Sequence, residues 1–273
     1  MRPLRAILTS LTVFALLACQ AIPGPYGSAT SARLERILES RELRVGLSGN
    51  QPPLNMRNKQ GELIGLEVDL VTALAQSMGL EARLVTRPFS ELLSSLERDE
   101  VDLVISGMTI TPERNARVAF AGPYFISGKS VLAKSEKMAN VDSSTELNDP
   151  TRTYVALAGS TSESFVEDLM PRANLVTTPD YDTAVKMVLE DEADALVADF
   201  PICTVSVLRH PEAGLSTLVT PFTVEPLGIA LPADDPLFVN LVENYLNTLE
   251  QTGLLTRFKA KWFSDGSWVC NLP

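Results

Sequence analysis

Two charged residues stand where their neighbours make them chemically useful. Arg114 follows Thr111-Pro112-Glu113. A threonine N-cap with proline in the first turn starts a helix there. The guanidinium then hangs over the end of the preceding Asp102 to Ser106 segment (DLVIS). Ser160-Thr161-Ser162 opens another helix, over Glu163 to Leu169, and its free backbone N–H groups suit an anion. An arginine, a hydroxyl and a helix N-terminus together fit a carboxylate, which arginine grips with two parallel hydrogen bonds. Asp199 ends the apolar run Leu196-Val197-Ala198 as a lone acid, suited to pair with an ammonium group.

Other chemistries find little support. One histidine, His210, and three scattered cysteines leave no cluster for zinc or iron, so neither metal nor cofactor is expected. Lys and Arg number 23 against 34 Asp and Glu, a formal charge of −11. Such a chain repels phosphate backbones, which argues against nucleic acid as a partner. With 45% hydrophobic and 21% charged residues, the composition is that of a globular protein.

These residues need a scaffold that points strand ends at one place. From Arg33 onward strand and helix signals alternate: Leu43 to Leu47, then a helical face of Leu70, Leu74 and Met78, a strand over Glu81 to Thr86, and Phe89, Leu92, Leu93 and Leu96 at helical spacing. Alternation of this kind indicates parallel α/β units. The pattern then repeats. Thr153 to Ser160 (TYVALAGS) parallels Leu43 to Asn50 (LRVGLSGN), with Gly159 matching Gly49. Leu189 to Asp199 (LEDEADALVAD) parallels Leu96 to Ser106 (LERDEVDLVIS) with one gap, aligning Asp194 with Asp102. Two similar lobes follow. Extended stretches near Lys129 to Lys134 and Pro221 to Leu231 read as two crossings between them, which makes the first lobe discontinuous. Ligands in open α/β sheets sit beyond the carboxyl ends of parallel strands. That places Ser48-Gly49, Ser106 to Thr109, Ala158 to Thr161 and Asp199 around one cleft.

The N-terminus carries an address. Arg2 and Arg5 precede a 13-residue apolar core, Ala6 to Ala18. That is too short to span a bilayer and the right size for a secretory signal. Leu16-Leu17-Ala18-Cys19 resembles a lipobox, so residues 1–18 are expected to be removed and Cys19 lipidated. Residues 19–31, rich in Pro, Gly and small side chains, read as a flexible tether. In an oxidising compartment Cys203 and Cys270 are either a disulfide or two inert thiols.

Gly61 to Asp69 (GELIGLEVD), Gly107 to Arg114 (GMTITPER), Pro123-Tyr124 and Ala193 to Asp199 (ADALVAD), in this order, resemble the family 3 bacterial extracellular solute-binding proteins, receptors of polar amino-acid ABC importers. The resemblance runs from about Leu34 to Phe263. It implies a two-lobe, type II periplasmic-binding-protein-like α/β fold with two hinge strands. The first lobe comprises 32–131 and 225–273, the second 132–224. It further implies that Arg114 clasps the α-carboxylate of an amino acid or analogue, helped by Thr109 and by Gly107, Ser160 and Thr161, while Asp199 holds the α-ammonium. Gln51 and Leu66 stand where such receptors carry aromatics that sandwich the ligand, so stacking is reduced. The expected protein is a monomeric, non-enzymatic receptor in the periplasm or at the cell surface, anchored by lipid and working with an ABC permease. Two alternatives stay open. One is a cleft enzyme of the cyclohexadienyl dehydratase type, with Glu67 or Asp199 protonating a leaving hydroxyl. The other is a ligand-sensing module for a membrane partner.

Overall fold

The structure is a computed structural model that describes residues 31–134, 147–264 and 266–273. The signal segment, Cys19 and all of the tether but Ser31 lie outside the described residues. Thirteen strands are described: β1 (Glu42–Leu47), β2 (Asn50–Gln51), β3 (Asn55–Arg57), β4 (Leu63–Ile64), β5 (Glu81–Thr86), β6 (Leu103–Val104), β7 (Ala119–Ser127), β8 (Lys129–Ala133), β9 (Thr153–Leu157), β10 (Asn174–Thr178), β11 (Ala195–Asp199), β12 (Ser216–Thr217) and β13 (Glu225–Leu231). They form two five-stranded sheets, ordered β5-β1-β6-β13-β7 and β10-β9-β11-β8-β12, and a small β2-β3-β4 ribbon.

The two large sheets repeat each other position by position. In the first, β1 runs parallel to β5 and β6, and β13 runs antiparallel to β6 and β7. In the second, β9 runs parallel to β10 and β11, and β8 runs antiparallel to β11 and β12. The matched acids do the same work in both. Asp102 accepts from the Arg44 N–H at 2.9 Å, and Asp194 accepts from the Thr153 N–H at 2.8 Å. Each carboxylate thereby holds the start of its neighbouring strand. In this region only Leu103–Val104 joins the ladder as β6, so the DLVIS strand is shorter than its apolar pattern suggests.

The chain crosses between the sheets twice, at Gly128 between β7 and β8 and again on the way from β12 to β13. The crossings touch. A Cβ on Gly128 would lie 2.2 Å from the Thr223 carbonyl oxygen, so only glycine lets the two segments pass at this distance. Strand β7 was hidden in the sequence because Gly122-Pro123 interrupts its alternation.

Helices cover the sheets where their apolar faces require it. The Leu66–Ser77 helix buries Leu70 and Leu74, and the Pro236–Gln251 helix, capped by Asp235, buries Phe238, Val242 and Leu249 on the same core. Tyr154, Phe165 and Val197 form a second core under the other sheet. A third cluster joins the two, with Leu92, Leu96 and Val104 from one side meeting Val155, Leu157, Val188 and Ile202 from the other. Among the described residues no helix is long and apolar enough to cross a membrane.

Candidate functional site

Strand ends from both sheets converge on one cleft. Gln51, Leu54, Phe89, Gly107 and Thr109 face Ser160, Thr161, Tyr181, Asp199 and Ile202 across a narrow gap with a free volume of about 10 Å³, which Lys129 also lines. Each side chain is placed by a local rule. Thr111 caps the short Pro112–Asn115 helix by accepting from the Arg114 N–H at 3.2 Å, which fixes the arginine backbone. Ser160 caps the Thr161–Leu169 helix, accepting from the N–H groups of Ser162 and Glu163. That leaves Thr161 at the mouth of the helix, beside the cleft.

Arg114 spans the cleft. Nη1 donates to the Thr109 carbonyl at 2.9 Å, and Nη2 donates to the Gly159 carbonyl at 3.0 Å. Its guanidinium lies 5.6 Å from the centre of the Phe89 ring, a cation–π contact. Burial lowers its pKa, an effect opposed first by the charge of Glu225. Among the described residues no carboxylate forms an ion pair with it. A second contact joins the sides: Thr161 Oγ1 donates to Glu225 Oε2 at 3.3 Å and lies 3.3 Å from Thr109 Oγ1. Thr161 has one hydroxyl proton, so Thr109 is the donor in the Thr109–Thr161 contact.

Asp199 sits at the N-cap position of the Phe200–Arg209 helix and makes no capping hydrogen bond. Its carboxylate accepts instead from Lys129 Nζ at 2.5 Å. Glu225 Oε2 stands 3.7 Å from the same nitrogen. Glu225 Oε1 accepts from Thr223 Oγ1 at 2.9 Å.

The structure brings Thr109, Gly107, Ser160, Thr161, Asp199 and Gln51 to this cleft, and sets Arg114 in the adjoining pocket that shares Phe89, Ser160 and Thr161 with it. Leu66 does not belong with them: it is fully buried in the core of the first sheet, on the face that its helix packs inward with Leu70 and Leu74. Glu67 does not line the cleft either. It is fully buried and accepts from the Gly107 N–H at 2.6 Å, from Asn55 Nδ2 at 2.5 Å and from the Tyr124 hydroxyl. Burial raises its pKa above the usual carboxylate range. With its oxygens occupied, it braces the Gly107 turn and has no path to a ligand. The disulfide alternative is corrected as well. Cys203 and Cys270 are both free, the first buried in the Phe200–Arg209 helix and the second on an exposed turn. Burial pushes the Cys203 thiol up to about 12. Among the described residues no group of three or more His, Cys, Asp or Glu side chains is placed to hold a metal ion.

Sequence reasoning missed Lys129, Glu225 and Tyr181. Lys129 and Glu225 are charged residues in otherwise apolar strands, the same signal that singled out Asp199. Tyr181 follows the Asp180 N-cap and reads as an ordinary first-turn residue.

The chain resembles known proteins along nearly its whole length. It is 28% identical over 258 residues to a cyclohexadienyl dehydratase from Pseudomonas aeruginosa, covering 94% of each chain. It is 26% identical over 235 residues to ABC transporter arginine-binding protein 1 of Escherichia coli, covering 82% of this chain and 91% of that one. Among solved structures, an ABC-transporter binding component from Wolinella succinogenes complexed with lysine matches with a TM-score of 0.78 and 36% identity, over 84% of this chain and 98% of that one. The dehydratase overturns the expectation that this chain is not an enzyme, since a relative named for catalysis matches it end to end. Residues 43–265 match one family throughout. The chain belongs to the bacterial extracellular solute-binding proteins, family 3.

Proposed function

We propose that the protein is an extracytoplasmic receptor that captures a small carboxylate-bearing solute, an amino acid or a close analogue, and delivers it to an ABC permease. The observation that carries this reading is Arg114, a guanidinium held beside the cleft between two backbone carbonyls with no carboxylate paired to it among the described residues. A half-buried guanidinium without a counter-ion favours binding one. The arginine-binding and lysine-complexed relatives support a carboxylate-bearing ligand of amino-acid size. The lobes, 32–131 with 225–273 and 132–224, close by population shift. A ligand touching both sides has more contacts when the lobes meet, and it favours that state by the difference. Cys19 carries a lipid that keeps the receptor at the membrane.

Isothermal titration of refolded, ligand-free protein against amino acids and their analogues tests the receptor. One-to-one binding that Arg114→Ala abolishes is expected, and silence across the panel refutes it. Membrane-fraction retention tests the anchor. Cys19→Ser should release the protein, and unchanged retention refutes lipidation.

A second reading rests on Asp199 and Glu225, two acids at the cleft beside Lys129. Loss of water from a cyclohexadiene ring needs an acid at the leaving hydroxyl. The Pseudomonas aeruginosa relative favours this chemistry. Turnover of a cyclohexadienyl acid, followed by the ultraviolet absorbance of an aromatic product, decides it. No turnover leaves the receptor alone.

A further inference from the structure

Lys129 opens β8, and the antiparallel register of β8 with β11 sets it directly opposite Asp199. The pair is therefore built into the sheet. Lys129 is 2% exposed, its backbone N–H donates to Thr223 Oγ1 at 2.9 Å, and its Nζ lies 2.5 Å from Asp199 Oδ1. Glu225, the other acid within reach, is engaged by the hydroxyls of Thr161 and Thr223.

The place at Asp199 where a ligand ammonium would bind is thus taken by an ammonium of the chain itself. A ligand amine hydrogen-bonded to Asp199 would stand within about 4 Å of Lys129 Nζ. At an effective dielectric of about 20 that repulsion is worth about two to three decades of affinity and cancels most of the attraction that Asp199 would offer the amine. Arg114 differs, since it has no carboxylate partner among the described residues. Among the described residues Arg114, beside the cleft, is a cation without a carboxylate partner, while Asp199 is paired with Lys129 and both Glu225 oxygens accept hydroxyl hydrogen bonds. Lys129 has three N–H donors, and Asp199 occupies one of them.

We propose that the ligand is a carboxylic acid without an α-ammonium group, of the 2-oxo or 2-hydroxy acid class. Its carboxylate binds Arg114, and its 2-oxygen accepts a hydrogen bond from Lys129. Lys129 replaces the amine that an amino acid would bring to Asp199. This rests on the receptor reading above and narrows its ligand.

The test is calorimetric titration of the refolded protein with matched sets: leucine, 4-methyl-2-oxopentanoate and 2-hydroxy-4-methylpentanoate; phenylalanine, phenylpyruvate and phenyllactate; glutamate, 2-oxoglutarate and 2-hydroxyglutarate. In at least one set the oxo or hydroxy acid should bind 30-fold or more tightly than the amino acid. Lys129→Met, which frees Asp199, should reverse that order. The charge-neutral double variant Lys129→Met/Asp199→Asn serves if the single variant does not fold, and it should bring the members of a set within about tenfold of each other. An amino acid binding more tightly than its oxo and hydroxy partners in the unmutated protein overturns this inference and leaves the receptor standing. A preference for the acid that persists unchanged in either folded variant also overturns it. Binding of neither class overturns the receptor reading together with this one.

Discussion

The Arg114 guanidinium donates to the Gly159 carbonyl at 3.0 Å from one side of the cleft to the other, while its second nitrogen holds the Thr109 carbonyl at 2.9 Å. The same side chain therefore links the lobes and presents a charge to the cleft. Truncating one partner of a buried, hydrogen-bonded charge pair costs about 2–5 kcal/mol. Arg114→Ala should weaken ligand binding by at least about 30-fold. Arg114→Lys keeps the charge and loses the planar fork, so it should fall between the two. Calorimetric titration separates the three proteins, and near-native affinity in Arg114→Ala would remove the arginine from the site.

Lys129 and Asp199 form a buried pair, with side chains 2% and 8% exposed. Removing one member of such a pair destabilises a protein by about 3–5 kcal/mol, while replacing both with neutral groups is often close to neutral. The two single variants should not be equal. Lys129→Met strands Asp199 without a cation, whereas Asp199→Asn leaves Lys129 with Glu225 at 3.7 Å. Urea unfolding should therefore show the larger loss for Lys129→Met and a double variant more stable than the sum of the singles predicts. Additive losses would mean that the pair contributes no coupling.

Asp199 also shows how far the sequence could be read. Its place at the end of an apolar strand was legible, and so was the repeat that matches Asp194, five residues before it, with Asp102. The partner was not. Lys129 meets Asp199 through the register of two antiparallel strands 70 positions apart, which no local pattern encodes. The same holds for Leu66. Its position after Gly65 suggested the cleft, but a helix has an inner and an outer face, and tertiary packing chose the inner one. Strand and helix order followed from hydrophobic periodicity. The exceptions were the short β2, β3, β4 and β12 and the edge strand β10, none of which was read as a strand, with β7, broken by Gly122-Pro123, and the short β6, where the Asp102 carboxylate takes over a ladder position.

That carboxylate links stability to pH. Burial pushes the Asp102 pKa up, but hydrogen bonds from the Arg44 side chain, the Arg44 backbone and Arg36 outweigh it and leave the group below its ordinary 3.8. A folded-state pKa below the unfolded value gives stability that is complete above the unfolded pKa and is lost as pH falls through the folded one. Asp102→Asn should therefore cost about 1.5–3 kcal/mol at pH 7, the range for hydrogen bonds to a charged group. Below pH 3.8 the gap between the two proteins should close. Urea midpoints across the acid range check this, and a gap that stays constant would place the contribution in packing instead of charge.

Gly159 tests whether closure of the cleft carries affinity. Its φ is +73°, and a Cβ there would lie 3.0 Å from the Ser90 Cβ and 3.1 Å from the Ser90 Cα on the opposite side. Gly214 has φ +65° and open space around it. Alanine at either position should carry the same left-handed backbone strain, about 1–2 kcal/mol. Only at Gly159 does the new methyl press against the other lobe, next to the carbonyl that Arg114 holds. Ser90 is anchored in the Phe89–Glu91 turn and cannot simply rotate away, so the lobes must part by a few tenths of an ångström. Both variants should thus unfold at similarly lowered temperatures, while Gly159→Ala alone loses ligand affinity, by about tenfold, or 1.4 kcal/mol. Equal affinity losses in Gly159→Ala and Gly214→Ala would trace the effect to general destabilisation and not to contact between the lobes.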